Sequence, residues 1–284
     1  DDFALFVALK EEFKGRPWNE WPAPLRDRDP DALLREKERL SDRIQERKFF
    51  QYLFFKQWSS LKKYCTGRGI KIIGDVPIYV VYDSADVWMN PNLFNLDQQK
   101  KPVTVAGVPP DYFSKTGQLW GNPVYQWEML QSTGYAWWIE HIRHNLNLFD
   151  VVRVDHFRGF MAYWEVPATE TTAVNGQWVE APGMDFFTRL SAVFPDLPII
   201  AEELVTITPD VWSTMENFGF PGMKVLLFAF DESLPRNAYA PHNHTKNAVV
   251  YTGTHDNNTS RAWFEKEADE KLKKRLSRYV GTEV

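Results

Sequence analysis

Residues 151–160 read VVRVDHFRGF, and this stretch places charged side chains inside a run of strand-forming residues. Its three valines are β-branched and its phenylalanines are aromatic, as is typical of a buried strand. Arg153, Asp155 and His156 are costly to bury unless they are paired. The stretch therefore predicts a buried strand whose polar end is either paired structurally or used in a reaction.

Strands of the same kind recur along the chain and alternate with helices. We predict strands near Ile72, Val152, Ile199, Val225 and Val250. We predict helices over residues 2–14, 31–63, 135–148, 184–193, 209–217 and 262–279. Buried strands that alternate with helices indicate an α/β fold with a parallel sheet.

Two long segments, residues 84–134 and 161–183, have little hydrophobic periodicity and are expected to form loops. The aromatic run from Phe49 to Trp58 has helical spacing, so we expect it to pack in the core. The chain has 12 Trp, 11 Tyr and 20 Phe, more than a core needs, and exposed aromatic residues often form binding platforms.

Bulk composition narrows the range of partners. The net charge of −5, from 33 basic and 38 acidic residues, excludes a polycationic nucleic-acid-binding surface. No apolar run approaches about 18 residues, so we expect no membrane partner. The single cysteine, Cys65, suits a reducing compartment, and we expect a cytoplasmic protein.

Three of the predicted strands lead into acidic residues. Asp155 ends the first, Glu202 and Glu203 follow the second (PIIAEEL, 198–204), and Asp256 follows the third (AVVYTGTHDN, 248–257). In a parallel barrel the carboxyl ends of the strands form one face, where catalytic residues lie. Carboxylates gathered on one face repel each other, which separates their pKa values. A single acidic residue at a strand end is most often a cap or an ion-pair partner, but three together favour a reaction site.

Two kinds of site fit this pattern. Metal binding is disfavoured because His156 and His255 are direct neighbours of the acids, and adjacent strand residues point to opposite faces. Glycoside chemistry fits better, since a retaining site needs a nucleophilic carboxylate and a protonated carboxyl about 5 to 5.5 Å apart. Arg153 lies two residues before Asp155 on the same side of the strand and would keep that carboxylate ionised.

Several motifs resemble one family in particular. RVDHFRGF, IIAEEL and TGTHDN look like the catalytic strand motifs of the α-amylase clan. The segments GDVPIYV, DSADVW, VAGVPPDYFSKTGQLWGNPVY, FGFPGMKVL and VVYTGTHDN resemble the amylomaltase, or 4-α-glucanotransferase (disproportionating enzyme), family over essentially the whole chain. That family commonly has AEDLG where this chain has Glu203 and Val205 at the Asp and Gly positions.

The resemblance implies roles for individual residues. Asp155 would be the nucleophile, Glu202 the general acid and base, and Asp256 the transition-state stabiliser. The implied substrate-binding residues are Arg153, His255, Asp75, Asp111, Tyr112, Phe113, Trp120, His156 and Asn257. The segment 84–134 would act as an aromatic lid and active-site loop that excludes water and favours an acceptor sugar.

The resemblance also implies a fold and a reaction. The fold would be a (β/α)8 TIM-type barrel, with residues 1–284 forming its central portion, about five of eight strands. The reaction would be retaining transfer of α-1,4-glucan segments between maltooligosaccharides, amylose or glucans derived from starch or glycogen, without a cofactor or metal. An α-glucan hydrolase and a non-catalytic glucan-binding fragment are the alternatives, and a plastid location would apply to a plant protein.

Overall fold

The computed structural model describes residues 1–111, 114–204 and 208–281 of the chain. Two compact units make up the structure. Unit 1 contains Asp1–Val152 and Gly159–Leu197, and unit 2 contains Arg153–Arg158 and Pro198–Val284. The chain passes between the units inside one strand, β4 (Val151–Asp155).

Unit 1 is mixed α/β. Its helices are α1 (Asp2–Glu12), α2 (Ala23–Arg26), α3 (Pro30–Arg39), α4 (Ser41–Thr66), α5 (Ala85–Met89), α6 (Trp127–Ser132), α7 (Ala136–Leu148) and α8 (Gly183–Val193). Its strands are β1 (Ile73–Pro77), β2 (Thr104–Val108), β3 (Gln118–Pro123), β5 (Ala162–Pro167) and β6 (Gln177–Glu180), together with the start of β4. The backbone N–H of Val151 donates to the carbonyl of Ile72, so β4 begins next to the start of β1.

Unit 2 contains the end of β4 and the remaining elements. These are β7 (Ile199–Ala201), α9 (Pro209–Phe218), β8 (Gly222–Val225), β9 (Ala248–Tyr251), α10 (Ser260–Lys266) and α11 (Glu270–Val280). The N–H of Glu202 donates to the carbonyl of Val154, and the N–H of Ala201 donates to the carbonyl of Pro221. Strand β7 therefore lies between β4 and β8, and β8 pairs in parallel with β9. The five strands predicted from the sequence are confirmed as β1, β4, β7, β8 and β9.

The two segments predicted to be loops contain strands and helices, so the prediction of loops throughout was wrong. Strands β2, β3, β5 and β6 form an antiparallel sheet in the order β3-β2-β5-β6, and α5 and α6 also lie within 84–134. Gly107 makes the pairing possible, because a Cβ there would lie 2.4 Å from the carbonyl oxygen of Gln118. Glycine, proline and asparagine inside β2 and β3 weaken the strand signal, and cross-strand pairing outweighs it.

Aromatic side chains form much of the core of unit 1. The rings of Phe160 and Phe186 stack with centroids 5.1 Å apart, and Trp138 packs against Phe160 at 5.2 Å. Trp138 and Ile142 lie one turn apart on α7, and both are buried. A large part of the aromatic content therefore serves core packing.

The aromatic run on α4 is exposed, so its predicted core position was wrong. Phe49, Phe50, Tyr52, Phe54 and Phe55 are each between 37% and 58% exposed. At about 100° per residue, five aromatic residues within seven positions point around the whole helix. One neighbouring element cannot cover all of them. The predicted helix over 31–63 also divides at Leu40, where the backbone leaves helical geometry between α3 and α4.

Candidate active site

The end of β4 carries a charge pair. Asp155 is the last residue of the strand, and its Oδ1 accepts a hydrogen bond from Nη2 of Arg153 at 2.6 Å. The Arg153 side chain is 10% exposed and that of Asp155 is 42% exposed. Nε of Arg153 also lies 3.4 Å from Sδ of Met223 on β8. A charge-assisted hydrogen bond of this kind stabilises the carboxylate form of Asp155 and fixes its orientation.

Glu202 lies beside this pair, directly after β7. Its carboxylate is held by two backbone groups, because Oε2 accepts from the N–H of His156 and Oε1 from the N–H of Leu204, both at 2.8 Å. Burial raises the pKa of Glu202, and the nearby charge of Asp155 raises it further, against the lowering effect of the two N–H groups and Arg153. Glu202 therefore retains a proton to higher pH than an ordinary glutamate.

The next acid, Glu203, forms a buried ion pair with Lys224 of β8. Nζ of Lys224 lies 3.3 Å from Oε1 of Glu203, and the two side chains are 4% and 1% exposed. Oε2 of Glu203 accepts from the N–H of Met223 at 2.7 Å. Burial raises the pKa of Glu203, and the contacts with Met223 and Lys224 oppose that rise.

His156 is held neutral at the turn that follows β4. Its backbone has φ of 53°, in the left-handed region, and the residue is buried. Burial lowers the pKa of His156 to about 4, and the charge of Arg158 contributes to the lowering. His156 donates to the Glu202 carboxylate from its backbone N–H, and that hydrogen bond does not require a charged imidazole.

The lowered pKa of His156 predicts acid sensitivity. The folded state keeps His156 neutral down to about pH 4, whereas an unfolded histidine takes up a proton near pH 6.5. Stability from the neutral ring is therefore present above about pH 6.5 and lost as the pH falls towards 4, a loss of about 3 kcal/mol. Urea unfolding at pH 7 and pH 4.5 measures this difference in the free energy of unfolding. The His156→Asn variant tolerates the positive φ and should lose less stability between these pH values. Equal losses in both proteins would contradict the assignment.

The third predicted carboxylate, Asp256, lies in the turn after β9. Nε2 of His255 is 3.5 Å from Oδ1 of Asp256, and both side chains are largely exposed. Oδ1 of Asn257 accepts from the N–H and the hydroxyl of Thr254, at 3.0 and 3.1 Å. Asn257 therefore shapes the turn that carries His255 and Asp256, a structural contribution that the sequence did not predict.

Three other predicted site residues, Asp75, Asp111 and Trp120, belong to unit 1. Asp75 is an exposed residue of β1. Asp111 is exposed, and its Oδ1 accepts from the N–H of Ser114 at 2.7 Å. Trp120, on β3, donates from Nε1 to Oε1 of Gln118 at 3.1 Å and packs 6.2 Å from the ring of Tyr79. Tyr112 and Phe113 lie outside the described residues, as does Val205.

Residues 1–111, 114–204 and 208–281 contain no group of three or more His, Cys, Asp or Glu residues that could hold a metal ion. Over the same ranges, no helix is both long and apolar enough to span a bilayer.

The two carboxyl groups at the ends of β4 and β7 differ in their surroundings. Asp155 is partly exposed and paired with a guanidinium, whereas Glu202 is buried and has a raised pKa. Environments that separate the protonation of two neighbouring carboxyl groups are suited to a nucleophile and a general acid.

The family model described as 4-alpha-glucanotransferase matches residues 1–284, the full length of the chain. The chain belongs to the 4-alpha-glucanotransferase family. Within this family, the 4-alpha-glucanotransferase of Thermus thermophilus is 51% identical over 266 residues, which cover 93% of the chain and 53% of the relative. That of Aquifex aeolicus is 52% identical over 283 residues, covering 100% of the chain and 58% of the relative.

A solved structure of an amylomaltase has the same fold as this chain. The amylomaltase from Streptococcus agalactiae, determined in complex with acarbose, superposes with a TM-score of 0.95 at 42% identity. The alignment covers 99% of the chain and 57% of that protein. The chain therefore has the mixed α/β fold of the 4-alpha-glucanotransferase family and spans a little over half the length of the relatives it matches.

Lys224, the partner of Glu203, was not predicted from the sequence as a residue near the site. It interrupts the apolar run MKVLLFAF in the way that Arg153 interrupts VVRV. A lone cation within a predicted buried strand indicates a buried partner, and that signal was present in the sequence.

Proposed function

We propose that this chain carries the catalytic centre of an enzyme that transfers α-1,4-linked glucan segments between maltooligosaccharides. The observation that carries the proposal is the contrast between Asp155, paired with Arg153 at 2.6 Å, and Glu202, buried beside it with a raised pKa. Membership of the 4-alpha-glucanotransferase family supports the same reaction.

The reaction proceeds in two steps. An Asp155 oxygen attacks the anomeric carbon while the bond to the departing glucan oxygen breaks, and Glu202 gives that oxygen its proton. A covalent glucosyl-enzyme remains. A hydroxyl of the acceptor then gives its proton to Glu202, and its oxygen attacks the anomeric carbon and releases Asp155. Two displacements at one carbon retain its configuration.

The remaining sequence-predicted residues take supporting roles in this proposal. Asp256, with His255, stabilises the positive charge that develops on the sugar in the transition state. Arg153 orients Asp155, and His156 and Asn257 hold the backbone around the carboxylates. Asp75, Asp111, Tyr112, Phe113 and Trp120 remain proposed substrate-binding residues, with 84–134 as the lid segment.

The proposed partners are maltooligosaccharides, amylose and glucans derived from starch or glycogen. The proposed architecture is a single catalytic barrel domain of which residues 1–284 form the central part. Strands β1, β4, β7, β8 and β9 supply five of its eight strands. We propose a cytoplasmic location, in keeping with a chain that has one cysteine.

The product profile from maltotriose tests the proposal. We expect glucose together with a ladder of longer maltooligosaccharides, because sugar hydroxyls compete with water for the covalent intermediate. Chromatography of the products over time, with the substrate alone as blank, measures this profile. Glucose and maltose without longer products would establish a hydrolase, and binding without turnover would establish a glucan-binding protein.

A further inference from the structure

The buried acid Glu203 anchors the segment that carries Glu202. Its carboxylate reaches across to β8, where it accepts from the N–H of Met223 at 2.7 Å and pairs with Lys224 at 3.3 Å. Gly222 leaves the space for it, because a Cβ at this position would lie 2.3 Å from Oε1 of Glu203. The Glu203 carboxylate is therefore held by two groups of β8.

Lys224 is enclosed by aromatic rings as well as by its ion-pair partner. Its Nζ lies 5.2 Å from the ring centroid of Trp212 on α9 and 5.7 Å from that of Tyr239. Both distances are within the range of cation–π attraction. The ammonium group therefore joins Glu203 to Tyr239, a residue in the segment between β8 and β9.

Tyr239 links Lys224 to the backbone next to Glu202. Its hydroxyl donates to the carbonyl oxygen of Leu204 at 3.2 Å. The N–H of the same residue, Leu204, donates to Oε1 of Glu202 at 2.8 Å. Residues 203 and 204 are thus held at two points, the Glu203 side chain by β8 and the Leu204 carbonyl by Tyr239.

We propose that Lys224, Glu203 and Tyr239 are positioning residues that orient the carboxyl group of Glu202 by fixing the backbone N–H of Leu204. This inference rests on the proposed role of Glu202 as general acid and base. Buried ion pairs often add little to stability, because their replacement by apolar residues is often neutral or stabilising. The positioning role therefore gives the pair of Glu203 and Lys224 a function other than stability.

The test compares two donors with different needs for a general acid. The bridging oxygen of maltotriose leaves with a proton from Glu202, whereas the fluoride of α-maltosyl fluoride leaves without one. The variant is Glu203→Gln with Lys224→Met, which leaves no unpaired buried charge. We expect the first-turnover rate of this variant with maltotriose to fall on the order of 10- to 100-fold. We expect first-turnover fluoride release to change less than about threefold.

A matched ion pair on the surface provides the control. Lys273 lies 3.4 Å from Glu270 on α11, and its Nζ also lies 5.2 Å from the ring of Phe264. The corresponding variant, Glu270→Gln with Lys273→Met, should leave both rates unchanged. The Tyr239→Phe variant removes only the hydroxyl that donates to the Leu204 carbonyl. It therefore tests the inference if the double variant fails to fold. We expect the same selective loss in smaller measure.

Each result has a defined meaning. Equal slowing with both donors, or no slowing with either, overturns the positioning role and leaves Glu203 and Lys224 as packing residues. The Glu202→Gln variant, which must itself slow maltotriose selectively, separates this inference from the proposed function. If that variant shows no selectivity, or the unmodified protein makes no transfer products, the proposed function is the part that fails.

Discussion

Replacing Asp155 with Asn is expected to abolish glucan transfer. The amide keeps the size of the side chain and can still contact Arg153, but it cannot serve as a carboxylate nucleophile. Loss of a nucleophile removes the covalent pathway, so we expect turnover of maltotriose to fall by at least about 10⁴-fold. Initial rates of glucose release, measured at a protein concentration high enough to detect the residual activity, give this number.

A matched exposed acid controls for the change of charge. Asp196 lies in the exposed segment before β7, and Asp196→Asn should transfer glucan at the original rate. Equilibrium binding of maltotriose to the Asp155→Asn protein should persist, which separates lost chemistry from lost folding. Substantial transfer by Asp155→Asn would mean that another group is the nucleophile.

Replacing Glu202 with Gln is expected to have the second largest effect. The amide cannot protonate the departing oxygen or accept a proton from the acceptor, so both steps slow with maltotriose. General acid–base catalysis contributes about 10²- to 10⁴-fold, and we expect a loss within that range. With α-maltosyl fluoride the first step needs little acid, so the covalent glycosyl-enzyme should accumulate. Intact-protein mass spectrometry should detect that adduct, and peptide mapping should locate it at Asp155.

Two further measurements tie this loss to the acid–base role. Azide is a nucleophile that needs no general base, so it should restore turnover of the fluoride donor and yield an α-glycosyl azide. The unmodified protein should lose activity towards maltotriose above the raised pKa of Glu202, since the acid form disappears there. Fluoride release by the Glu202→Gln variant should show no such fall at high pH. If azide does not restore turnover, Glu202 is not the general base.

The strands that bear the carboxylates could be predicted because their signals are local. Runs such as VVRVD and IIAEE combine β-branched residues with acids at the carboxyl end, and the structure places Asp155 and Glu202 beside each other there. Pairing of Arg153 with Asp155 followed from their spacing on one face of β4, and the 2.6 Å hydrogen bond confirms it.

What could not be predicted depends on contacts between distant residues. Strands β2 and β3 contain Gly107, Gly121 and Pro123, and they form because each finds a partner strand. The run from Phe49 to Trp58 has apolar residues on all sides of α4, and local spacing does not tell which of them a neighbour covers. Lys224 pairs with Glu203 across 21 residues of sequence, a distance at which no short motif gives the pairing.

The chain passes from one unit to the other inside β4, and this affects the order in which its parts fold. The hydrogen bond between the N–H of His156 and Glu202 joins residues 46 apart in sequence, with the whole of β5, β6 and α8 in the intervening chain. Closing a loop of that length costs about 3 kcal/mol of chain entropy before any contact within it compensates, and contacts between distant residues form slowly. Helices such as α4 and α7 rest on local hydrogen bonds and can form without that closure. We therefore expect the carboxyl groups at the ends of β4 and β7 to come together later than these helices form.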